Sequence, residues 1–127
     1  MHGLGYELVL VAKDSDRLAQ VASELNCDFR AVDLEDIDAA KRCFDEIVAN
    51  FGAPEVLILA HGVMSAKMSK TLKTDIAEWR RVMSVNLDAV FCALNTLAAP
   101  MAAARNGRVI VFSACLGRMS GPGNTGG

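Results

Sequence analysis

At 127 residues, 52% hydrophobic and 22% charged, the chain has room for one buried core and the composition of an ordinary globular domain, which excludes a disordered segment or a multidomain assembly. Its formal net charge of −2, with both signs mixed along the chain, excludes the clustered basic face of a nucleic-acid binder. No apolar run approaches the roughly 18 residues of a membrane span, and the first residues lack the basic-then-apolar order of a secretory signal.

Leu8-Val-Leu-Val-Ala12 is a continuous apolar run of strand length, the pattern of a strand buried on both faces. Asp14 or Ser15 then caps a helix in which Leu18, Val21, Ala22 and Leu25 recur at helical spacing. Phe29 to Val32 reads as a second short strand. Asp36 opens another helix, with Ala40, Cys43, Phe44, Ile47, Val48 and Phe51 on one face, and Gly52 with Pro54 stops it. Val56-Leu-Ile-Leu-Ala60 is a third buried strand, and His61 to Lys73 a polar loop. Thr74 or Asp75 caps the next helix, with Glu78 placed to complete a capping box. Helical spacing continues from Trp79 to Ala104, with a break near Ser84. Asn106-Gly107 then turns the chain into a fourth strand, Val109 to Phe112, and the tail from Gly117 is glycine-rich and irregular.

Strands that are apolar throughout, alternating with helices, predict a doubly wound α/β domain with a parallel sheet covered on both faces. The four cysteines, at 27, 43, 92 and 115, lie too far apart for the paired spacing of a zinc site, so no metal is expected. Cys43 and Cys92 fall on apolar helix faces and read as reduced core thiols of a cytoplasmic protein. Gly121-Pro-Gly-Asn-Thr-Gly126 is a literal G-x-G-x-x-G. It is rejected as a phosphate loop, because it does not join a strand directly to a helix whose N-terminal amides would meet a pyrophosphate.

One polar residue stands out. Asn86 sits inside the long apolar helix, where a buried amide needs partners for every donor and acceptor. Around it, Trp79-Arg-Arg-Val-Met-Ser-Val-Asn-Leu-Asp-Ala-Val-Phe91, then Pro100-Met101, then Gly107-Arg-Val-Ile-Val-Phe-Ser113 resembles the middle of a short-chain dehydrogenase/reductase. The resemblance covers nearly the whole chain. It implies a Rossmann-type doubly wound parallel sheet that is incomplete, residues 1–127 forming a partial NAD(P)-binding domain. Leu4-Gly5 would end the family's first helix, and Leu8–Ala12 would be its second strand.

Site residues follow from the same resemblance. At the end of the family's second strand an acidic residue binds the ribose hydroxyls, or a basic residue one place on accommodates a 2′-phosphate. Ala12-Lys13 implies NADP, with NAD less favoured; a solvated strand-end charge is the plain alternative for Lys13. Asp33-Leu34 matches the pair that contacts adenine, although Asp33 also suits a turn. Leu59-Ala60-His61-Gly62 stands where the family has Asn-Asn-Ala-Gly, so that Ala60, His61 and Gly62 are cofactor-side positions and only the glycine matches. His61 is either a proton carrier or a local hydrogen-bonding substitute. Asn86 matches the active-site asparagine at a helix kink whose carbonyl holds a relay water; a purely structural kink is the alternative. In the small-Ser-x-x-Gly motif, counting back from Gly117 lands on Ala114, so Ser113 is the candidate catalytic hydroxyl only with a one-residue shift.

The complete enzyme implied is an NADP-preferring oxidoreductase moving a hydride to or from a carbonyl or alcohol carbon of a small molecule, with no nucleic-acid or membrane partner. A homo-oligomer is left open through the helix from Asp88 to Ala104. The family's glycine-rich phosphate loop and its Tyr-x-x-x-Lys pair are not in these residues, Tyr6 having no lysine at that spacing, so the chain alone is expected to be inactive. The absent first strand belongs between the family's second and fourth, which predicts marginal stability or collapse of two half-sheets onto each other. Two other readings stand beside this one: a catalytically silent nucleotide-binding or interaction protein on the same fold, and a flavodoxin-like or receiver-like domain. The last would need an acidic cluster or phosphate loop at the strand ends, and the sequence shows neither.

Overall fold

Four short strands alternate with helices in the computed structural model, which describes residues 4–65 and 71–114. In chain order these are β1 (Val9–Ala12), α1 (Ser15–Leu25), β2 (Asp28–Ala31), α2 (Ile37–Phe51), β3 (Val56–Leu59), α3 (Ile76–Ala103) and β4 (Arg108–Val111). A single 3₁₀ turn at Thr71–Lys73 precedes α3. The expected strands are displaced by a residue at one or both ends: β2 starts at Asp28 and β4 at Arg108, each earlier than its apolar run.

Each helix begins where an aspartate accepts a backbone N–H of the first turn. Asp14 accepts from Arg17, Asp36 from Ala39 and Asp75 from Glu78, which decides between Asp14 and Ser15 and between Thr74 and Asp75. The Glu78 carboxylate takes two hydrogen bonds from the Arg81 guanidinium, through Nε and Nη2, at 2.9 Å each. Asn26, in the left-handed region at φ 50°, closes α1 by returning its N–H to the last carbonyls.

α3 is one helix with two widened turns, at Ser84–Asp88 and Leu94–Ala98. The first is the break expected near Ser84. The second precedes Pro100, which has no N–H to give the Thr96 carbonyl and whose ring crowds it, so the ladder widens one turn earlier. By length and mean hydropathy α3, with 28 residues, would suffice to cross a membrane, although polar residues such as Asn86, Asp88, Asn95 and Thr96 keep it from being one uninterrupted apolar run. Its stripe of Val82, Val85, Ala89, Cys92, Ala93, Leu97 and Met101 is buried in the core, whereas Ile76, Trp79, Leu87 and Phe91 of the same helix are exposed.

The strands pair in parallel as expected, but as two separate two-stranded sheets, β1 with β2 and β3 with β4. Val9 stands opposite Asp28 and Ala12 opposite Ala31; Val56 stands opposite Arg108 and Leu59 opposite Val111. β1 and β3 share no ladder, so the half-sheets have not merged. They share a core all the same. Ala40, Cys43, Phe44 and Ile47 of α2 pack with Leu57 and Leu59 of β3 and with Cys92, Ala93, Leu97 and Met101 of α3, and Val9 and Val11 of β1 pack against this cluster.

Burial of every strand on both faces is corrected. Leu57 and Leu59 are buried, but Ile58 between them is 44% exposed, Ile110 beside it 46%, and all four residues of β4 are exposed. Successive strand residues point to opposite faces, and among the described residues no helix covers the Ile58–Ile110 face. An apolar run reports that a strand has two apolar faces; it does not report what lies on them.

Candidate active site

Within each pair the strands are parallel, so their carboxyl ends lie together, and α3 brings the two pairs' ends to one side by bonding the loop after β2 through Ser84 and the loop after β3 through Asn86. In open parallel sheets ligands bind outside these ends, where the direction of winding reverses. Lys13 follows β1, Asp33-Leu34 follows β2, Ala60-His61-Gly62 follows β3 and Ser113 follows β4, so every residue expected at the site lies at this end.

Lys13 and Asp33 meet. The Val32 N–H donates to the Ala12 carbonyl at 2.9 Å, carrying the β1–β2 pairing one step past the strands. Lys13 Nζ then lies 2.7 Å from Asp33 Oδ2, both side chains well exposed. Asp33 Oδ1 accepts the Glu35 N–H at 3.0 Å, so Asp33 is a turn residue as well as a charge partner. The hydrogen bond with Asp33 raises the Lys13 pKa above its ordinary value, and the same bond lowers that of Asp33. Leu34 packs its side chain inward against the core.

Asn86 sits in the middle of the first widened turn of α3 and grips the loop after β3. Its Oδ1 accepts the Val63 N–H and its Nδ2 donates to the Val63 carbonyl, both at 2.8 Å. One amide side chain thus satisfies both backbone groups of a residue 23 positions away. Two residues earlier Ser84 Oγ donates to the Glu35 carbonyl at 3.0 Å, and Arg81 Nη2 donates to the Met64 carbonyl at 2.9 Å. The bent segment of α3 therefore stitches together the loops after β2 and β3. Val63, Ser84, Glu35 and Arg81 were not expected at the site; the one available signal was Ser84, a second polar residue in the same apolar helix. A Cβ at Gly62 would lie at ordinary contact distance, 3.5 Å, from Asn86 Oδ1, so the clamp does not itself demand glycine there.

The widened turn also changes the surroundings of His61. Ala89 donates its N–H to Ser84, five residues back, where a regular helix would use Val85. Val85 loses that donor, and its carbonyl faces the His61 ring. Burial pushes the imidazole pKa below its ordinary 6.5, with the Val85 carbonyl opposing. Nε2 is buried without a hydrogen-bond partner. Ala60 is exposed beside it. The Phe112 N–H donates to the Leu59 carbonyl at 2.9 Å, extending the β3–β4 pairing so that Ser113 arrives at the level of the Ala60–His61 turn, exposed. Cys115, Gly117 and the Gly121–Gly126 motif lie outside the described residues.

The residues suit one half of a dinucleotide. Lys13 offers an exposed cation and Asp33 a hydrogen-bonding carboxylate at adjacent strand ends. The pyrophosphate half is different. Each of α1, α2 and α3 is capped by an aspartate, and a carboxylate already occupies the N-terminal amides that would otherwise attract a phosphate. Among the described residues, no helix N-terminus is open for that purpose.

The doubly wound parallel α/β fold is shared with solved short-chain oxidoreductases. One such structure, a metagenomic short-chain oxidoreductase in complex with NADP, superposes with a TM-score of 0.90 at 27% identity over 98% of this chain and 58% of that one. The family model for short chain dehydrogenase matches residues 1–126, and the chain belongs to that family. It is similar to galactitol 2-dehydrogenase (L-tagatose-forming) of Cereibacter sphaeroides, 30% identical over 92% of this chain and 44% of the relative. It is similar also to a 3-oxoacyl-(acyl-carrier-protein) reductase of Staphylococcus epidermidis, 29% identical over 68% of this chain and 34% of the relative. The chain thus spans less than half the length of these curated relatives.

Proposed function

We propose that the chain forms the adenosine-binding side and part of the active site of an NADP-preferring oxidoreductase that acts on a carbonyl or alcohol carbon of a small molecule. The single observation that carries this reading is the placement of Lys13 beside Asp33 at neighbouring carboxyl ends of a parallel pair. A compact ammonium there suits a ribose 2′-phosphate, and the similar structure in complex with NADP supports the choice.

The nicotinamide, when bound, supplies or accepts the hydride. This chain's own residues do the rest of what they can reach. Lys13 holds the 2′-phosphate, and Asp33 with the backbone at Leu34 borders the adenine. The Ala60–Gly62 turn borders the nicotinamide side, with Ser113 offering its hydroxyl to the substrate oxygen. Asn86 acts as a positioning residue, because both ends of its amide are engaged with Val63 and its effect is transmitted through the shape of the bend. A group that protonates the substrate oxygen in the family's manner, tyrosine four residues before lysine, is not in this sequence, so turnover is not expected from these residues alone. Free Cys27, Cys43 and Cys92 support a reducing, cytoplasmic setting.

The test is titration of the purified chain with NADPH and NADH, followed by assay of reduced-nicotinamide loss over a panel of aldehydes and ketones. Saturable binding that favours NADPH supports the reading. Binding without turnover fits these residues acting alone or a catalytically silent nucleotide binder. No binding of either cofactor contradicts it.

A further inference from the structure

We propose that Asp33 tunes cofactor choice by competing with the ligand: it occupies Lys13 in the free protein, as an internal rival of the 2′-phosphate of an adenosine nucleotide. The inference rests on the reading of Lys13 given above. Three observations carry it. Lys13 Nζ reaches Asp33 Oδ2 at 2.7 Å, hydrogen-bonding distance rather than mere proximity. The Asp33 carboxylate is tethered, because Oδ1 is held by the Glu35 N–H at 3.0 Å, the chain before it by the Val32-to-Ala12 backbone bond and its own carbonyl by the Asp36 N–H at 3.1 Å. The other charges that act on Lys13 are Glu35 and Arg81, and the Arg81 guanidinium is itself bound by the Glu78 carboxylate. Lys13 therefore sits in a field with an acidic balance.

A 2′-phosphate carries about −1.5 to −2 charges at neutral pH. To reach Lys13 it must displace a carboxylate that remains tethered next to it, and it then sits beside that uncompensated charge. A nucleotide without the phosphate leaves the Lys13–Asp33 pair intact. Asp33 thus weakens binding of the phosphorylated ligand specifically and narrows the preference that Lys13 creates. Removing its charge should widen that preference.

Asp33→Asn keeps an oxygen for the Glu35 N–H and a hydrogen-bonding group for adenine while removing the rival charge. Lys13→Ala removes the phosphate contact. The chain and both variants are titrated with 2′,5′-ADP and with 5′-AMP, read by amide chemical shifts in NMR. Asp33→Asn should raise the ratio of 2′,5′-ADP to 5′-AMP affinity roughly two- to fivefold, the scale of an exposed ion pair, whatever it does to the adenine contact that the two ligands share, and Lys13→Ala should bind the two ligands alike. If Lys13→Ala loses the preference but Asp33→Asn leaves it unchanged or reduces it, the competition is overturned while the reading of Lys13 stands. If the unmodified chain binds the two ligands equally, or binds neither, the reading of Lys13 falls and the competition with it.

Discussion

Asn86 holds Val63 by both of its backbone polar groups, accepting its N–H and donating to its carbonyl at 2.8 Å each. A side-chain amide here does what a neighbouring strand would do, and it does so from the middle of a helix. Loop and helix are thereby fixed to each other at the end of the sheet where the candidate residues gather. Asn86→Leu would leave both Val63 groups short of a partner and should cost about 1–3 kcal/mol. Asn86→Asp keeps the acceptor but places a carboxylate against the Val63 carbonyl, and should be destabilised as well. Urea denaturation measures the loss, and faster exchange of the Val63 amide locates it.

Ser84 should behave as the second anchor of the same bend. Its hydroxyl bond to the Glu35 carbonyl is worth about 0.5–1.5 kcal/mol by the usual scale of such bonds. Ser84→Ala and Asn86→Leu touch different loops through one helical turn, so their effects should couple rather than add. A double-mutant cycle by chemical denaturation checks this; strict additivity would mean that the two loops are held independently.

Gly107 faces Met101 so closely that a side chain has nowhere to go. A Cβ built there would come within 2.5 Å of Met101 Cε and 3.1 Å of its Cβ, at a φ of +153° that side chains rarely adopt. Gly107→Ala should lower stability by about 1–3 kcal/mol through overpacking, seen as a lower melting temperature. Because Met101 is core, the cost should be smaller in a Met101→Ala background than in the original chain.

Stability should fall on the acid side through His61. Its imidazole is held below its ordinary 6.5 by burial, whereas the unfolded chain takes up the proton at the ordinary value. Below about pH 6.5 the unfolded state therefore binds more protons than the folded one, and stability drops as pH drops; above it the contribution is flat. Denaturation curves across about pH 5 to 8 should show this slope, and His61→Gln should flatten it.

The helices and their starts were legible in the sequence because local chemistry decides them. Asp14, Asp36 and Asp75 cap by reaching amides three residues on, and the expected break near Ser84 falls in the first widened turn of α3. Relations across the fold were not. Asn86 announced that it needed partners, but nothing in the sequence could name Val63, because the partner is backbone. Lys13 and Asp33 were each singled out, yet their ion pair depends on the β1–β2 register, which only folding sets. The exposure of β4 was hidden for another reason: apolar composition describes the strand, and burial describes its neighbours.

In the proposed reading, the carboxyl ends of the strands receive an NADP-type cofactor through Lys13 and its neighbours. The most direct measurement is amide chemical-shift mapping of the chain on titration with NADPH. Saturable shifts should gather at Lys13, Asp33, Leu34, the Ala60–Gly62 turn and Ser113, with NADH weaker at Lys13. Shifts confined to the opposite end of the sheet, around Arg105 and Gly107, or no saturable shifts at all, would contradict it.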